Sequence, residues 1–236
     1  MPYEIKIVPL VIAIDGPAGA GKSTVAQQLA SALGLPYVDS GATYRAAALK
    51  VLEMGIPPRL EDRIVELLAA MSLEGRAGAE TFRVLLDGRD VTREIRSPEV
   101  TQLASVISRI PGVRQALVAL QRKFVSERGV VMEGRDIGTV VFPGAALKVF
   151  LTASPLERAR RRMGDEKGRG VSLEEVAQEI QQRDRRDSER IVSPLVPAPD
   201  ATLIDSTGLS AGEVVQRILQ RLEEMNLISR TDRRQE

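Results

Sequence analysis

Apolar residues along this chain follow two rhythms. Short, nearly unbroken runs, "IVPLVIAI" (residues 7–14), "PYVD" (36–39), "GVVME" (129–133), "LKVFLTA" (147–153) and "TLID" (202–205), are rich in β-branched residues. Strands apolar on both faces belong to a parallel sheet covered by helices. The segments between them, such as "VAQQLASALG" (25–34), carry the spacing of amphipathic helices and supply the crossovers that parallel strands require. The pattern predicts a doubly wound α/β fold around a parallel sheet of five strands.

Two segments break that rhythm. In residues 72–96, "TFRVLLDG" faces "RDVTREI" across an Asp-Gly pair, the signature of a β-hairpin in an inserted subdomain. Residues 161–172, "RRMGDEKGRGVS", are glycine-punctuated and densely charged between two helical patterns. Such a loop is either a mobile lid or a merely solvated connection.

Composition narrows the chemistry. The 236 residues have a formal net charge of +1, which gives no electrostatic reason to expect nucleic acid or an anionic membrane as partner. Cysteine and histidine are both absent. That removes disulfides, thiolate catalysis, Ser-His pairs and histidine-zinc hydrolysis together. The apolar run near the start is too short to span a bilayer and lacks a signal-peptide cleavage pattern, so a cytoplasmic protein is expected. Phosphoryl transfer suits what is left, because it depends on positioning and charge more than on a tuned base.

"GPAGAGKS" satisfies G-x-x-x-x-G-K-[ST] at Gly16, Gly21, Lys22 and Ser23. A chance match in a chain of this length is on the order of 1%, and the strand before and helix after lower it further. Glycines let backbone N–H groups turn toward phosphate oxygens, and the helix start adds its partial positive charge. The ATP-binding set is therefore Gly16, Pro17, Ala18, Gly19, Ala20, Gly21, Lys22, Ser23 and Thr24. Lys22 would reach the β- and γ-phosphates, and Ser23 would ligate Mg²⁺ directly. No Asn-Lys-x-Asp motif reads guanine, and a motor would be longer. A kinase would need a second anion site.

Three arginine-bearing stretches could build one. In "VDSGATYR", Ser40 is expected to cap a helix, and Arg45 follows in its first turns; alone, Arg45 reads more readily as a surface charge than as a phosphate ligand. In "GVVMEGRDIG", Glu133 ends a strand where a carboxylate could hold Mg²⁺ through water, with Arg135 and Asp136 beside it; a polar β-turn is the alternative. In "IQQRDRRDSERIV", Arg183, Asp187 and Arg190 fall at i, i+4 and i+7, on one face of an expected helix. Such a row is often only a solvated stripe. Together with "ERARRRM" (157–163), however, these stretches concentrate guanidinium groups near one end of the sheet.

"IDGPAGAGKST", "DSGATYRAAAL", "EGRDIGTVVFP" and "SPLVPAPDATLIDST", in this order, resemble the bacterial cytidylate kinase family from about residue 10 to residue 224. The resemblance implies transfer of a phosphoryl group from ATP to CMP or dCMP with Mg²⁺. It implies that Arg45, Arg135 and Arg190 hold the acceptor phosphate, Arg114 and Asp136 read cytosine, and Ser105, Arg183 and Asp187 contact the ribose. Ser40 joins that acceptor set. Arg158 and Arg162, with Arg169, would belong to the ATP-side lid, and Lys22, Arg135, Arg162 and Arg190 would act on the phosphoryl in flight. Glu133 stands where some relatives carry Asp. The expected division is a P-loop core (1–39, 101–162 and 173–226), an acceptor subdomain (40–100), a lid (163–172) and a polar tail (227–236), in a monomer. The rival readings are a P-loop kinase for another small acceptor such as UMP, and a non-catalytic ATP-sensing module.

Overall fold

The computed structural model describes residues 3–78, 81–165 and 172–231. The chain opens on β1 (Tyr3–Ile5) and enters the core with β2 (Leu10–Asp15), then passes through a glycine loop into α1 (Lys22–Leu33). Next come β3 (Tyr37–Asp39), α2 (Ser40–Glu53) and α3 (Glu61–Ala70), followed by the short strands β4 (Leu73–Ala77), β5 (Phe82–Leu86) and β6 (Arg89–Asp90). Two helices, α4 (Pro98–Ile107) and α5 (Pro111–Arg122), return the chain to β7 (Gly129–Gly134) and β8 (Leu147–Thr152). The last stretch holds α6 (Pro155–Asp165), α7 (Leu173–Ser188), β9 (Thr202–Asp205), α8 (Ala211–Glu224) and β10 (Ile228–Arg230).

The expected five strands form one parallel sheet in the order β3-β7-β2-β8-β9. Its centre is dry: Leu10, Ile12, Ile14, Val130, Val131 and Met132 are fully buried, which explains why these runs lack alternation. The C-terminal ends of β2, β7 and β3 lie side by side, with Asp15 level with Gly134 and Asp39 level with Glu133. All three glycine- and arginine-bearing connections therefore leave the sheet at one edge, where α/β folds bind ligands.

The inserted hairpin exists but differs in its arms. Asp87 (φ 49°) and Gly88 (φ 82°) form the left-handed turn, yet the second strand is only Arg89–Asp90, with Val91 adding one N–H bond to the Val84 carbonyl at 2.9 Å. Asp90 then accepts from the Thr92 backbone N–H at 2.9 Å, which turns the chain out of the sheet toward a 3₁₀ turn at Glu94–Arg96. The main partner of β5 is the unexpected β4. Its sequence, "LEGRA", has no strand pattern, but Gly75 is dictated by packing: a Cβ there would lie 2.6–2.7 Å from the rings of Phe82 and Phe124. At the far end, residues 228–230, expected to begin the polar tail, instead pair antiparallel with β1, and Leu227 and Ile228 are buried.

Helix ends follow local chemistry. Ser172 with Glu175 and Ser210 with Glu213 form reciprocal caps at the starts of α7 and α8. α2 departs from expectation by one position: Asp39, not Ser40, is its cap, its carboxylate accepting from the Ala42 N–H at 3.1 Å. Asp39 is the last strand residue and already extended, the geometry a cap needs, so Ser40 becomes the first helical residue. No single helix among the described residues is long and apolar enough to cross a membrane.

Candidate active site

The glycine loop is held tightly before any ligand arrives. Gly16 (φ +148°) runs against β8, where a Cβ would sit 1.9 Å from the Leu151 carbonyl oxygen. Gly21 (φ +88°) starts α1 with no side-chain cap, so the first N–H groups of the helix face the loop unpaired by a cap. Ala18 is clamped from behind: its N–H donates to Asp184 at 3.2 Å, its carbonyl accepts from Arg158 at 3.1 Å, and its methyl joins Ala159, Val176 and Ile180 of α6 and α7 in a small core. Arg158 also pairs with Asp184. Arg161, which the sequence did not single out, ties the loop to the end of β9 through Ser206 at 2.9 Å.

Lys22 is buried and donates to the Pro17 carbonyl at 2.7 Å. Burial, and then the charge of Arg135, lower its pKa to about 7. With only a neutral carbonyl as its hydrogen-bond partner, this amine is poised to recover its charge against a phosphate. Ser23 and Thr24 are exposed on the first turn of α1.

Opposite the loop, the end of β7 delivers Glu133, Gly134, Arg135 and Asp136. Glu133 accepts from the Tyr37 hydroxyl at 2.6 Å; burial and then the neighbouring Asp39 raise its pKa, against the pull of Lys22. Gly134 must lack a side chain, because a Cβ would approach the Ser40 hydroxyl to 2.5 Å. Arg135 donates through Nε to Asp187 at 2.9 Å, and Asp187 also pairs with Arg190. Burial works against ionised Asp187, but Arg135, Arg190 and Arg183 outweigh it and hold its pKa low. Arg183 is pushed down to about 9 by burial and by Arg135. Arg45 donates to Asp39 at 2.6 Å, with Arg96 4.0 Å from the same carboxylate.

Deeper in the cleft lies a buried ion pair, Arg114 with Asp136, in which Arg114 is 3% exposed. The Arg114 guanidinium also sits 5.6 Å from the centre of the Tyr44 ring and donates to the Ser108 carbonyl at 3.3 Å. Burial raises the Asp136 pKa, opposed by Arg114 and Arg190.

These groups enclose one cavity of about 210 Å³. Among the described residues, seven arginines (45, 96, 114, 135, 162, 183 and 190) and Lys22 line it, against four carboxylates, Asp39, Glu133, Asp136 and Asp187. Six buried polar atoms of its walls have no hydrogen-bond partner: Tyr44 Oη, Ser105 Oγ, and Nε of Arg45, Arg114, Arg183 and Arg190. Buried polar groups are almost always satisfied, so a cluster of orphans beside surplus positive charge describes a site for a polar anion.

Of the expected residues, Ala18, Gly19, Lys22, Ser23, Ser40, Arg45, Ser105, Arg114, Glu133, Arg135, Asp136, Arg162, Arg183, Asp187 and Arg190 all line this cavity. Arg190, expected on the same helix, instead lies two residues beyond its end, since α7 stops at Ser188. Arg158 does not line it; its guanidinium braces the loop from behind. Arg169 lies outside the described residues, and of the expected lid only residues 163–165, which continue α6, and Ser172 are described. Sequence reasoning missed Asp39, Arg96 and Asp184. An Asp at a strand–helix junction is a readable cap signal; the roles of the other two depend on contacts distant in sequence.

A family model described as cytidylate kinase matches residues 12–224. A cytidylate kinase of Desulforamulus reducens is 54% identical over 214 residues, covering 90% of this chain and 96% of that protein. One from Pelotomaculum thermopropionicum is 51% identical over 214 residues, covering 89% and 95%. In fold, the chain is similar to an uncharacterized protein of Eubacterium ventriosum, with a TM-score of 0.50 at 12% identity over 91% of this chain and 98% of that one.

Proposed function

The chain belongs to the cytidylate kinase family, and on that premise we propose how its cleft carries phosphoryl transfer from ATP to CMP or dCMP. The observation that carries the reading is the set of orphaned polar atoms and surplus guanidinium groups in one cavity that opens onto the glycine loop.

ATP enters along the glycine loop, its phosphates meeting the N-terminus of α1 and Lys22. The acceptor phosphate takes the places that Asp39 and Asp187 now fill against Arg45, Arg135 and Arg190. These carboxylates hold the arginines by charged hydrogen bonds, so the guanidinium groups are oriented in advance. Ser105, Arg183 and Asp187, all on the cavity wall, adjoin the ribose. The cytosine edge, one amino donor beside two acceptors, is complementary to Asp136 and Arg114, whereas the uracil O4 faces the carboxylate as a like dipole. No general base is required, because the acceptor phosphate is already ionised at neutral pH. Its oxygen attacks the γ-phosphorus in line as the bond to the bridging oxygen breaks and ADP leaves, and Lys22, Arg135, Arg162 and Arg190 stabilise the charge spread over the equatorial oxygens.

The donor set near the loop, the Ser23 hydroxyl and the Glu133 carboxylate, is all hard oxygen, and no cluster of three metal-ligating side chains occurs among the described residues. That suits Mg²⁺, which is held by few side chains, by water and by substrate phosphates. When bound, the ion would neutralise phosphate charge, with Ser23 as direct ligand and Glu133 acting through water.

A coupled ADP-release assay with ATP, Mg²⁺ and each of CMP, dCMP, UMP, AMP and GMP tests this reading. CMP and dCMP are expected to be turned over and the others poorly, with loss of all activity on chelation. Efficient use of UMP would assign another acceptor; ATP binding without acceptor-dependent turnover would assign a sensing module.

A further inference from the structure

Asp15 ends β2 immediately before the glycine loop, yet its side chain turns away from the donor site. Both carboxylate oxygens accept backbone N–H bonds, from Ile137 at 2.8 Å and Gly138 at 2.7 Å. Those two amides open a single π-helical turn, Ile137–Val141, that begins directly after Asp136. A π-turn leaves its first N–H groups without internal partners, and a buried carboxylate is the strongest acceptor a side chain offers them. The clamp is closed from other sides as well. The stem of Lys148 crosses Gly138, where a Cβ would lie 3.1 Å from Lys148 Cγ, and the Ile137 side chain covers Gly134.

Gly16, the first residue of the donor loop, is thus joined through Asp15 to the backbone that carries Asp136 and, through it, Arg114. The carboxylate lies within the electrostatic reach of both sides: Asp136 raises its pKa and Lys22 lowers it, while burial is the largest influence and sets it at about 6.

We infer that Asp15 is a positioning residue for base selection: it sets the register of the Asp136–Arg114 pair relative to the phosphate donor loop. This inference rests on the proposed (d)CMP kinase reading. In Asp15→Asn the shape is kept, but the amide offers one acceptor and turns an N–H toward an N–H. One charge-assisted hydrogen bond is lost, and the turn carrying Asp136 is released from its register.

The test measures kcat/KM for CMP and UMP with saturating ATP in four proteins: the unaltered chain, Asp15→Asn, Asp136→Ala and the double variant. The unaltered chain must prefer CMP; if it does not, the reading of function fails before the inference is tried. Asp15→Asn is expected to lower the CMP/UMP ratio about tenfold through KM for the nucleoside monophosphate, with KM for ATP within about twofold. In the Asp136→Ala background the same change should leave the ratio unaltered, because the residue being positioned is gone. A general loss of stability would lower both substrates alike and not move the ratio. An Asp15→Asn ratio equal to that of the unaltered chain, or a loss confined to KM for ATP, overturns the inference. Should the amide variant fail to fold, Asp15→Ser, smaller and with one acceptor, enters the same comparison.

Discussion

Replacing Asp136 by alanine separates two consequences of one buried ion pair. Arg114 is 3% exposed and Asp136 5%, so the mutation strands a guanidinium where water cannot reach it easily. Removing one partner of a buried pair typically costs 3–5 kcal/mol, mostly as the penalty on the charge left behind. Here the Tyr44 ring and the Ser108 carbonyl still hold Arg114, which argues for the lower end, about 3 kcal/mol. At the usual entropy of unfolding for a chain of this size, that lowers Tm by about 6–12 °C. The second consequence is kinetic. Losing the acceptor for the cytosine amino group removes one buried charged hydrogen bond, about 1.5–3 kcal/mol, or roughly 10- to 150-fold in the CMP/UMP ratio. Calorimetry of the ligand-free protein measures the first effect and the coupled assay the second. The pair Arg114→Leu with Asp136→Ala should recover most of the stability while recovering none of the selectivity, because an apolar replacement carries no stranded charge. An Asp136→Ala protein that melts as the parent does and discriminates as the parent does would refute the reasoning on both counts.

Four further outcomes are expected. Lys22→Ala should lower kcat by about 10²–10³-fold with little change in acceptor KM, read by steady-state kinetics. In the unaltered chain, burial lowers the Lys22 pKa to about 7 in the folded protein against about 10.4 when unfolded, so between those values the unfolded state binds more protons and stability rises with pH. ATP binding restores the charge; calorimetry in buffers of different ionisation enthalpy should show proton uptake above pH 7, lost in Lys22→Ala. Asp136 must be ionised to accept from cytosine and its pKa is raised, so the CMP/UMP ratio should fall as pH is lowered toward acid; a flat profile would count against that role. Gly134→Ala should cost about 1–3 kcal/mol in thermal denaturation and raise acceptor KM, because its Cβ would press on Ser40 and Ile137.

What the sequence revealed follows from how far each interaction reaches. The central strands were legible because burial on both faces writes itself as unbroken apolar runs. β4 was not, since Gly75 is set by two phenylalanine rings, one of them Phe124, far along the chain. The expected cap at Ser40 missed by one residue, as motifs locate a helix start more coarsely than the dihedral that decides it. Arg190 was placed on a helix that ends two residues earlier, yet it meets Asp187 all the same, because spacing constrains proximity more than conformation. Arg45, Arg135, Arg183 and Arg190 stood out because so many guanidinium groups near one sheet end ask for an anion, whereas Arg114 was named only through the family resemblance and Arg96 was missed. Asp15 could not, for its partners are backbone amides 122 and 123 positions away, and backbone amides leave no mark in a sequence.

Helix α7 touches both halves of the cleft. Asp184 grips the donor loop through the Ala18 N–H and Arg158, and one turn later Asp187 grips Arg135 and Arg190. A tilt of this single rod would slacken both grips together, so the donor and acceptor halves share one mechanical support. Any change that one substrate makes in the affinity for its counterpart through this rod must be returned by an equal factor, whichever arrives earlier, as reciprocity between linked sites demands.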